Sequence, residues 1–165
     1  MTKIILLERL KDETQQAVKD LLMPVKPQKE DGGQAIFDRP AEVYLTRLPD
    51  SRAAKKKAPY ILHQIITGRD AQAPGEHADS SATVRSIFCV YSADEQEGGL
   101  MLLNLMERLR IHLLRKVVIG EQFALDLGAG METLVYPEDT APFFAGEMVS
   151  IWKLPAVERE VRKWL

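Results

Sequence analysis

The most constraining stretch of this chain is the run 82–91, which is rich in β-branched and aromatic residues. Successive side chains of a β-strand point to opposite faces of the sheet. Both faces would be apolar here, with Val84, Phe88 and Val90 on one and Ile87, Cys89 and Tyr91 on the other. Apolar residues on both faces are typical of a strand that is covered on both sides. The run therefore predicts a central strand of a sheet.

Two amphipathic segments predict the helices. Residues 3–22 repeat apolar side chains at helical spacing, with Thr2 as a candidate N-cap and two prolines to end the segment, at Pro24 and Pro27. Residues 98–117 carry a broader apolar stripe that includes Leu102, Leu105, Met106, Leu109, Leu113 and Val117. The polar residues of both segments, Glu13 and His112 among them, are expected on the solvent side.

Five further runs have strand character: 41–48, 60–67, 123–127, 132–136 and 143–152. The runs 123–127 and 132–136 are expected to pair with each other across the turn Gly128-Ala129-Gly130. Residues 24–40 and 68–81 predict long loops, the second being a loose hairpin tip in the alternative interpretation. Residues 156–165 predict a C-terminal tail, with 157–165 as a candidate helix.

This order of elements predicts an α+β fold. Long strands joined by short connections favour an antiparallel or mixed β-sheet, and the two main α-helices would pack on one face of it. The 165 residues are enough for one domain with its own core, so residues 1–165 are expected to form a single domain.

Composition gives no general attraction to polyanions. The 22 Lys and Arg residues stand against 24 Asp and Glu, and the net charge is −2. A single cysteine, Cys89, excludes an intrachain disulfide, and its apolar neighbours predict a small buried side chain.

The N-terminal apolar run ends at Glu8 and is too short for a signal peptide. No apolar stretch approaches the ~20 residues of a membrane span. We therefore expect a protein of the cytoplasm, with no membrane partner.

Catalytic and cofactor motifs do not occur in the sequence. It has neither a Gly-x-x-x-x-Gly-Lys-Ser/Thr phosphate loop nor a Gly-x-Ser-x-Gly elbow. Gly128 and Gly130 lack the rest of a dinucleotide fingerprint and predict a tight turn instead. We expect no cofactor and no enzymatic activity.

The histidines and acidic residues do not form a metal-binding pattern. His63, His77 and His112 each lack a second ligand at metal-binding spacing, so each is expected at the surface or facing a partner. The acidic run 94–97 lacks the ligand spacing of a calcium loop and predicts a solvated helix start.

One charged segment stands out as a candidate contact site. Arg52, Lys55, Lys56 and Lys57 place four cations in six residues between two predicted strands. A solvated loop is the simplest interpretation, and contact with DNA phosphates or with an acidic protein surface is the functional alternative. No aromatic residue interleaves the cations, which argues against stacking on single-stranded nucleic acid.

Two segments carry a resemblance to a known family. The first is the strand 82–91 with its acidic-glycine link and the helix that reads LLNLMERLRIHLL. The second is the closing segment APFFAGEMVSIWKLPAVERE, in which an aromatic-glycine pair leads into an apolar strand ending in Trp and Lys-Leu-Pro. Together with Pro59-Tyr60-Ile61 and the later Gly68, these segments resemble the tail terminator, or tail-completion, proteins of tailed phages and prophages. The resemblance covers roughly residues 59–160.

The resemblance implies a structural protein of the virion neck. Such a protein forms a hexameric ring on the last ring of the tail tube, stops its polymerisation and offers a surface to the head-side connector or stopper protein. The implied partners are thus further copies of the chain, the tail tube protein, the connector and, in a contractile tail, the sheath, with non-specific contact to DNA in the lumen. The implied location is the host cytoplasm during assembly and the virion afterwards.

Two alternatives remain open at the level of sequence. One is another neck protein, such as a head-completion or connector-stopper protein. The other belongs to a different class, a small-molecule-binding module or an enzyme that carries no recognisable motif.

Overall fold

A computed structural model describes residues 2–27, 37–50, 54, 57–137 and 140–160 of the chain. The elements in chain order are α1 (Thr2–Val18), β1 (Glu42–Leu45), β2 (Tyr60–Ala71), β3 (Asp79–Tyr91), α2 (Glu95–Lys116), β4 (Val118–Ile119), β5 (Phe123–Leu125), β6 (Glu132–Val135) and β7 (Phe143–Leu154). Two helices and one mixed sheet make this an α+β fold, as the sequence predicts.

The sheet is built around β3. The strand order is β1-β2-β3-β7-β5-β4, and β6 pairs with a further part of β7. Among the described strands only β1 and β2 run parallel, and the other pairs are antiparallel. β3 pairs along its length with β2 on one side and with β7 on the other. The predicted central strand is therefore confirmed.

Both helices pack on the same face of the sheet. Val84, Phe88 and Val90 of β3 point into this main core, as the alternation of the sequence predicts. The helices and β7 complete the core with Leu6, Leu10, Leu102, Leu105, Leu109, Met148 and Trp152, all of them buried. Each such side chain contributes roughly 1.5–3 kcal/mol when it leaves water, so this layer holds the fold together.

The described residues cover the opposite face of the sheet only in part. A second, smaller cluster lies there against the C-terminal end of β3, and it contains Leu48, Ala58, Tyr60, Leu62, Cys89 and Phe143. The segment between β1 and β2 supplies Leu48 and Ala58, which cover this end of the strand. Toward the N-terminal end of β3 the same face is only half-buried, for example at Thr83 and Arg85.

The predicted hairpin of β5 with β6 is wrong. β5 pairs with Trp152 and Lys153 of β7, whereas β6 pairs with β7 residues between Gly146 and Val149. Both short strands run antiparallel to β7, so they lie in line along its edge in the same direction and cannot form a hairpin. The turn prediction itself is confirmed, because residues 127–129 form a turn and Gly130 has a φ of 83°.

The predicted long loop at 68–81 is also wrong. β2 continues to Ala71 and β3 begins at Asp79, with Gly68 opposite Ala82 and Asp70 opposite Ser80. Only residues 72–78 connect the strands, so the alternative of a hairpin was the better one. The residues of this part of the hairpin are small or polar, so they show no apolar strand pattern. Backbone pairing between β2 and β3 stabilises it instead.

The helix boundaries differ from the predicted ones. α1 ends at Val18, four residues before the predicted end. α2 begins at Glu95, because the side chain of Asp94 accepts a hydrogen bond from the backbone N–H of Glu97 at 2.9 Å and caps the first turn. It ends where Val117 adopts a φ of 60°.

The remaining predicted loops and the tail are described only in part. Residues 28–36 of the loop 24–40 lie outside the described residues, and on either side of them Met23 and Arg39 form an isolated β-bridge. In the tail, residues 155–160 form no helix, and residues 161–165 lie outside the described part.

Candidate functional site

Most of the predicted basic segment lies outside the described residues. This holds for Arg52, Lys55 and Lys56, while Lys57 is described and is partly exposed. The carbonyl oxygen of Lys57 accepts a hydrogen bond from the guanidinium of Arg39 at 2.9 Å. The same guanidinium also donates to the carbonyl oxygen of Pro59 at 3.0 Å. Arg39 therefore fixes the end of the basic segment against the start of β2.

His63 is fully buried, which corrects the prediction that it faces solvent or a partner. It lies on β2 beneath α1, where Nδ1 is 2.7 Å from Ser86 Oγ and Nε2 is 2.8 Å from Thr14 Oγ1. The Thr14 hydroxyl donates its only hydrogen to the carbonyl oxygen of Leu10, at 2.7 Å. Thr14 must therefore accept from Nε2–H of His63, and Ser86 donates to Nδ1.

This arrangement resembles a serine-histidine pair but has the chemistry of a core contact. The Ser86 side chain is as buried as His63 itself, and both ring nitrogens are occupied by hydrogen bonds. A nucleophile needs access to its substrate, and this hydroxyl has none. Burial lowers the pKa of His63 from 6.5 to about 3, so the ring is neutral at ordinary pH.

A second polar contact joins the two helices. Glu13 of α1 is buried rather than solvated as predicted, and its carboxylate lies 2.6 Å from Nε2 of His112 and accepts a hydrogen bond from Lys116. Burial alone would raise the pKa of Glu13, but the hydrogen bonds and charges of His112 and Lys116 outweigh burial and lower that pKa below 4.5. His112 is thus a partner within the fold and only partly exposed, instead of being a surface residue.

The other single residues behave as the sequence predicts. His77 is exposed in the turn between β2 and β3, and Cys89 is buried in the second cluster. The acidic run 94–97 is exposed at the start of α2. In the described part of the chain, no three His, Cys, Asp or Glu side chains gather as metal ligands. No helix in that part is both long and apolar enough to cross a membrane.

The outward surface of α2 is a feature that the sequence reasoning missed. It carries four large apolar side chains, which we call the outer stripe: Leu100, Leu103, Ile111 and Leu114, exposed by 63%, 48%, 39% and 36%. A surface helix usually presents polar residues on this side. The signal was present in the sequence, because these residues are extra to the core stripe and recur at helical spacing on the other side of the helix.

In the middle of the outer stripe lies one ion pair. The Arg110 guanidinium donates two hydrogen bonds, each of 2.8 Å, to the two carboxylate oxygens of Glu107. The pair is exposed, and hydrogen bonding between its members lowers the pKa of Glu107 and raises that of Arg110. It keeps two charges neutralised within an otherwise apolar surface.

Compared with models of known protein families and with curated protein sequences, the chain matches none of them.

Proposed function

We propose that this chain is a structural assembly protein that caps the tail tube of a phage or prophage as a homo-hexameric ring. The observation that carries the proposal is the resemblance of the segments 82–117 and 141–160 to tail terminator proteins. In the ring, one face of each subunit binds the last ring of tube protein, and the other face receives the head-side connector.

The packing of these segments supports the proposal. β3 and β7 pair in register from Ser80 opposite Leu154 to Tyr91 opposite Phe143. α2 packs across both strands, and its Gly98 lies against the ring of Phe144. The segments that carry the resemblance are thus neighbours in space and form one unit of the fold.

A ring also needs two different surfaces on each subunit, because head-to-tail contacts are heterologous. The sheet offers two such surfaces at its two edges. Beyond His63, β2 pairs only with β3 among the described strands, so the backbone of residues 65–71 is available at one edge. At the other edge, β6 exposes Leu134 by 52% and Val135 by 46%. Exposed strand edges are sites where a neighbouring chain adds to a sheet.

The test is assembly with the tail tube protein of the same phage or prophage. We expect electron microscopy to show tubes capped at one end, and light scattering to give a ring mass that is a multiple of six copies, on its own or with tube protein. The capped tubes should stop growing when fresh tube protein is added. A monomer that leaves tube ends bare and growing would refute the proposal and favour another neck protein.

A pair of variants sharpens this test. Leu134→Asp adds a charge to the exposed β6 edge, and we expect it to abolish the ring and tube capping. Leu127→Asp makes the same change at an exposed leucine in the turn after β5 and should leave both intact. Both variants should keep the circular dichroism of the parent chain.

A further inference from the structure

The apolar side chains of the outer stripe are spaced symmetrically about Glu107 along α2. Leu100 and Leu114 each lie seven residues from Glu107, and Leu103 and Ile111 each lie four residues from it. At 3.6 residues per turn these positions fall within one side of the helix, over a length of about 21 Å. The pattern of apolar residues therefore reads the same from either end of the helix.

The charges beside the stripe, unlike its apolar side chains, differ between the two ends of the helix. Glu95 and Glu97 lie in the first turn of α2, and Arg115 and Lys116 lie in the last. Glu97 and Arg115 are five helical turns apart and flank the same side of the stripe. Among the described residues Arg115 has no ion pair, whereas Lys116 binds Glu13.

We propose that the outer stripe binds the same stripe of a second copy of this chain, with the two α2 helices antiparallel about a two-fold axis near Glu107. Leu100 of each copy then lies level with Leu114 of the other, and Leu103 lies level with Ile111, so that the two apolar stripes face each other. The contact is isologous, because one surface serves both subunits.

The charge pattern selects this occupant and this direction. In an antiparallel pair, residues that flank the same side of the stripe meet, so Glu97 of each copy lies beside Arg115 of the other. A parallel two-fold pair would not form these contacts and would instead bring the two acidic first turns to one end and the two basic last turns to the other, where like charges are unfavourable. At the axis, each Glu107 enters the contact already neutralised by its own Arg110.

The first test removes the apolar contact. Leu103→Glu places a charge in the centre of the stripe, at a side chain exposed enough for the fold to tolerate it. We expect it to halve the mass of the particle measured by light scattering, from two copies to one or from two stacked rings to one ring. Leu22→Glu makes the same change at an exposed leucine outside α2 and should leave the mass unchanged. If Leu103→Glu leaves the mass unchanged as well, the stripe contact is refuted.

The second test uses the charges. Glu97→Lys and Arg115→Glu each replace two attractive pairs by two repulsive ones, and each should weaken self-association by about tenfold. The double variant restores opposite charges and should recover the parent mass. A mixture of the two single variants should form mixed pairs that neither forms alone. If neither the double variant nor the mixture regains the parent mass, the antiparallel arrangement is refuted.

Glu95→Lys is the matched control for the charge test. It makes the same change in the same helical turn and carries the same cost at the helix N-terminus. Glu95 points away from the outer stripe, so self-association should not change. Weakening equal to that of Glu97→Lys would mean that net charge, and not the stripe, governs association.

The stripe contact goes beyond the ring proposed above, and the two proposals can fail separately. A two-fold contact does not close a head-to-tail ring, so Leu103→Glu should still cap tail tubes. Leu134→Asp tests the ring alone, because we expect it to lose tube capping while it keeps the two-fold contact.

Discussion

At the scale of single residues, the buried imidazole of His63 governs how the fold responds to acid. The folded chain holds the ring neutral with a pKa of about 3, whereas an unfolded histidine is protonated below about pH 6.5. Below pH 6.5 the unfolded state therefore binds a proton that the folded state does not. This contribution to stability is complete above pH 6.5 and is lost progressively as the pH falls toward 3.

We expect the free energy of unfolding to fall by about 2 kcal/mol between pH 7 and pH 5 from this histidine alone. His63→Gln should be less stable at pH 7, because an amide cannot reproduce both hydrogen bonds in the same geometry. Its stability should nevertheless depend less on pH over this interval. Urea unfolding at a series of pH values measures both effects.

Ser86→Ala is the control for that experiment. It removes one hydrogen bond to the ring but keeps the buried imidazole. It should be less stable than the parent at pH 7 and should keep the parent's steep loss of stability below pH 6.5. Parallel pH profiles for His63→Gln and the parent would show that another group controls the acid response.

Glu13 is the second polar residue that is buried although the sequence predicts it on the solvent side. Glu13→Gln keeps the shape of the side chain but weakens the charged hydrogen bonds to His112 and Lys116, so we expect a loss of about 1–2 kcal/mol at pH 7. Glu107→Gln makes the same change in the exposed pair and should cost much less, because solvent screens that interaction. Thermal unfolding of both variants compares the two sites.

The pH dependence of Glu13 gives a separate check. Its pKa is lowered in the folded state, so its contribution is present above pH 4.5 and is lost as the pH falls below that value. The difference in stability between the parent and Glu13→Gln should therefore shrink below pH 4.5. A difference that stays constant to pH 3 would contradict a charged Glu13 in the folded chain.

At the scale of elements, the approach of α2 to β7 depends on one glycine. A Cβ atom at Gly98 would lie 2.2 Å from Cε2 of Phe144, while one at the adjacent Gly99 would meet no atom within 4 Å. Gly98 is buried in the first turn of α2. This turn can therefore approach β7 closely only because position 98 carries no side chain. A Cβ atom at Gly146 on β7 would likewise meet the backbone, 2.8 Å from the carbonyl oxygen of Leu134.

We expect Gly98→Ala to destabilise the fold by about 1–3 kcal/mol, because the Phe144 ring must move out of a packed site. Gly99→Ala should be neutral or should stabilise the fold by up to about 1 kcal/mol, because alanine favours helix and the space is open. Chemical denaturation of the two variants measures the difference. Equal effects would mean that helix propensity dominates and that the contact with Phe144 is easily relieved.

At the scale of the whole molecule, assembly is expected to depend on local charge in a chain that is acidic overall. Replacing Arg52, Lys55, Lys56 and Lys57 together by glutamine removes the one dense group of cations in the sequence. We expect weaker binding to duplex DNA or to the head-side connector, with a smaller dependence on salt, and unchanged stability. Fluorescence anisotropy with labelled DNA, and co-sedimentation with connector, distinguish the two partners. Unchanged affinity and salt dependence for DNA and for the connector would support the simpler interpretation that the segment is a solvated loop.

Local sequence pattern is sufficient to identify the elements whose apolar faces are regular. The apolar alternation of 82–91, the core stripe of α2 and the long final strand each identify their element, because burial of a regular apolar face leaves a periodic trace. The buried Cys89 and the turn at Gly128–Gly130 followed from composition in the same way. The resemblance to tail terminators also rests on these patterned segments.

Contacts between residues that lie far apart in the chain are visible only in the folded structure. Glu13 meets His112 and Lys116 about a hundred residues away, and His63 meets Thr14 and Ser86, so no local pattern marks these polar side chains as buried. The pairing of β5 and β6 with β7 depends on backbone groups that every residue carries, and it likewise leaves no trace in side-chain type. Which of the two apolar sides of α2 faces the core, and which becomes the outer stripe, was decided only by the packing of the helix on β3 and β7.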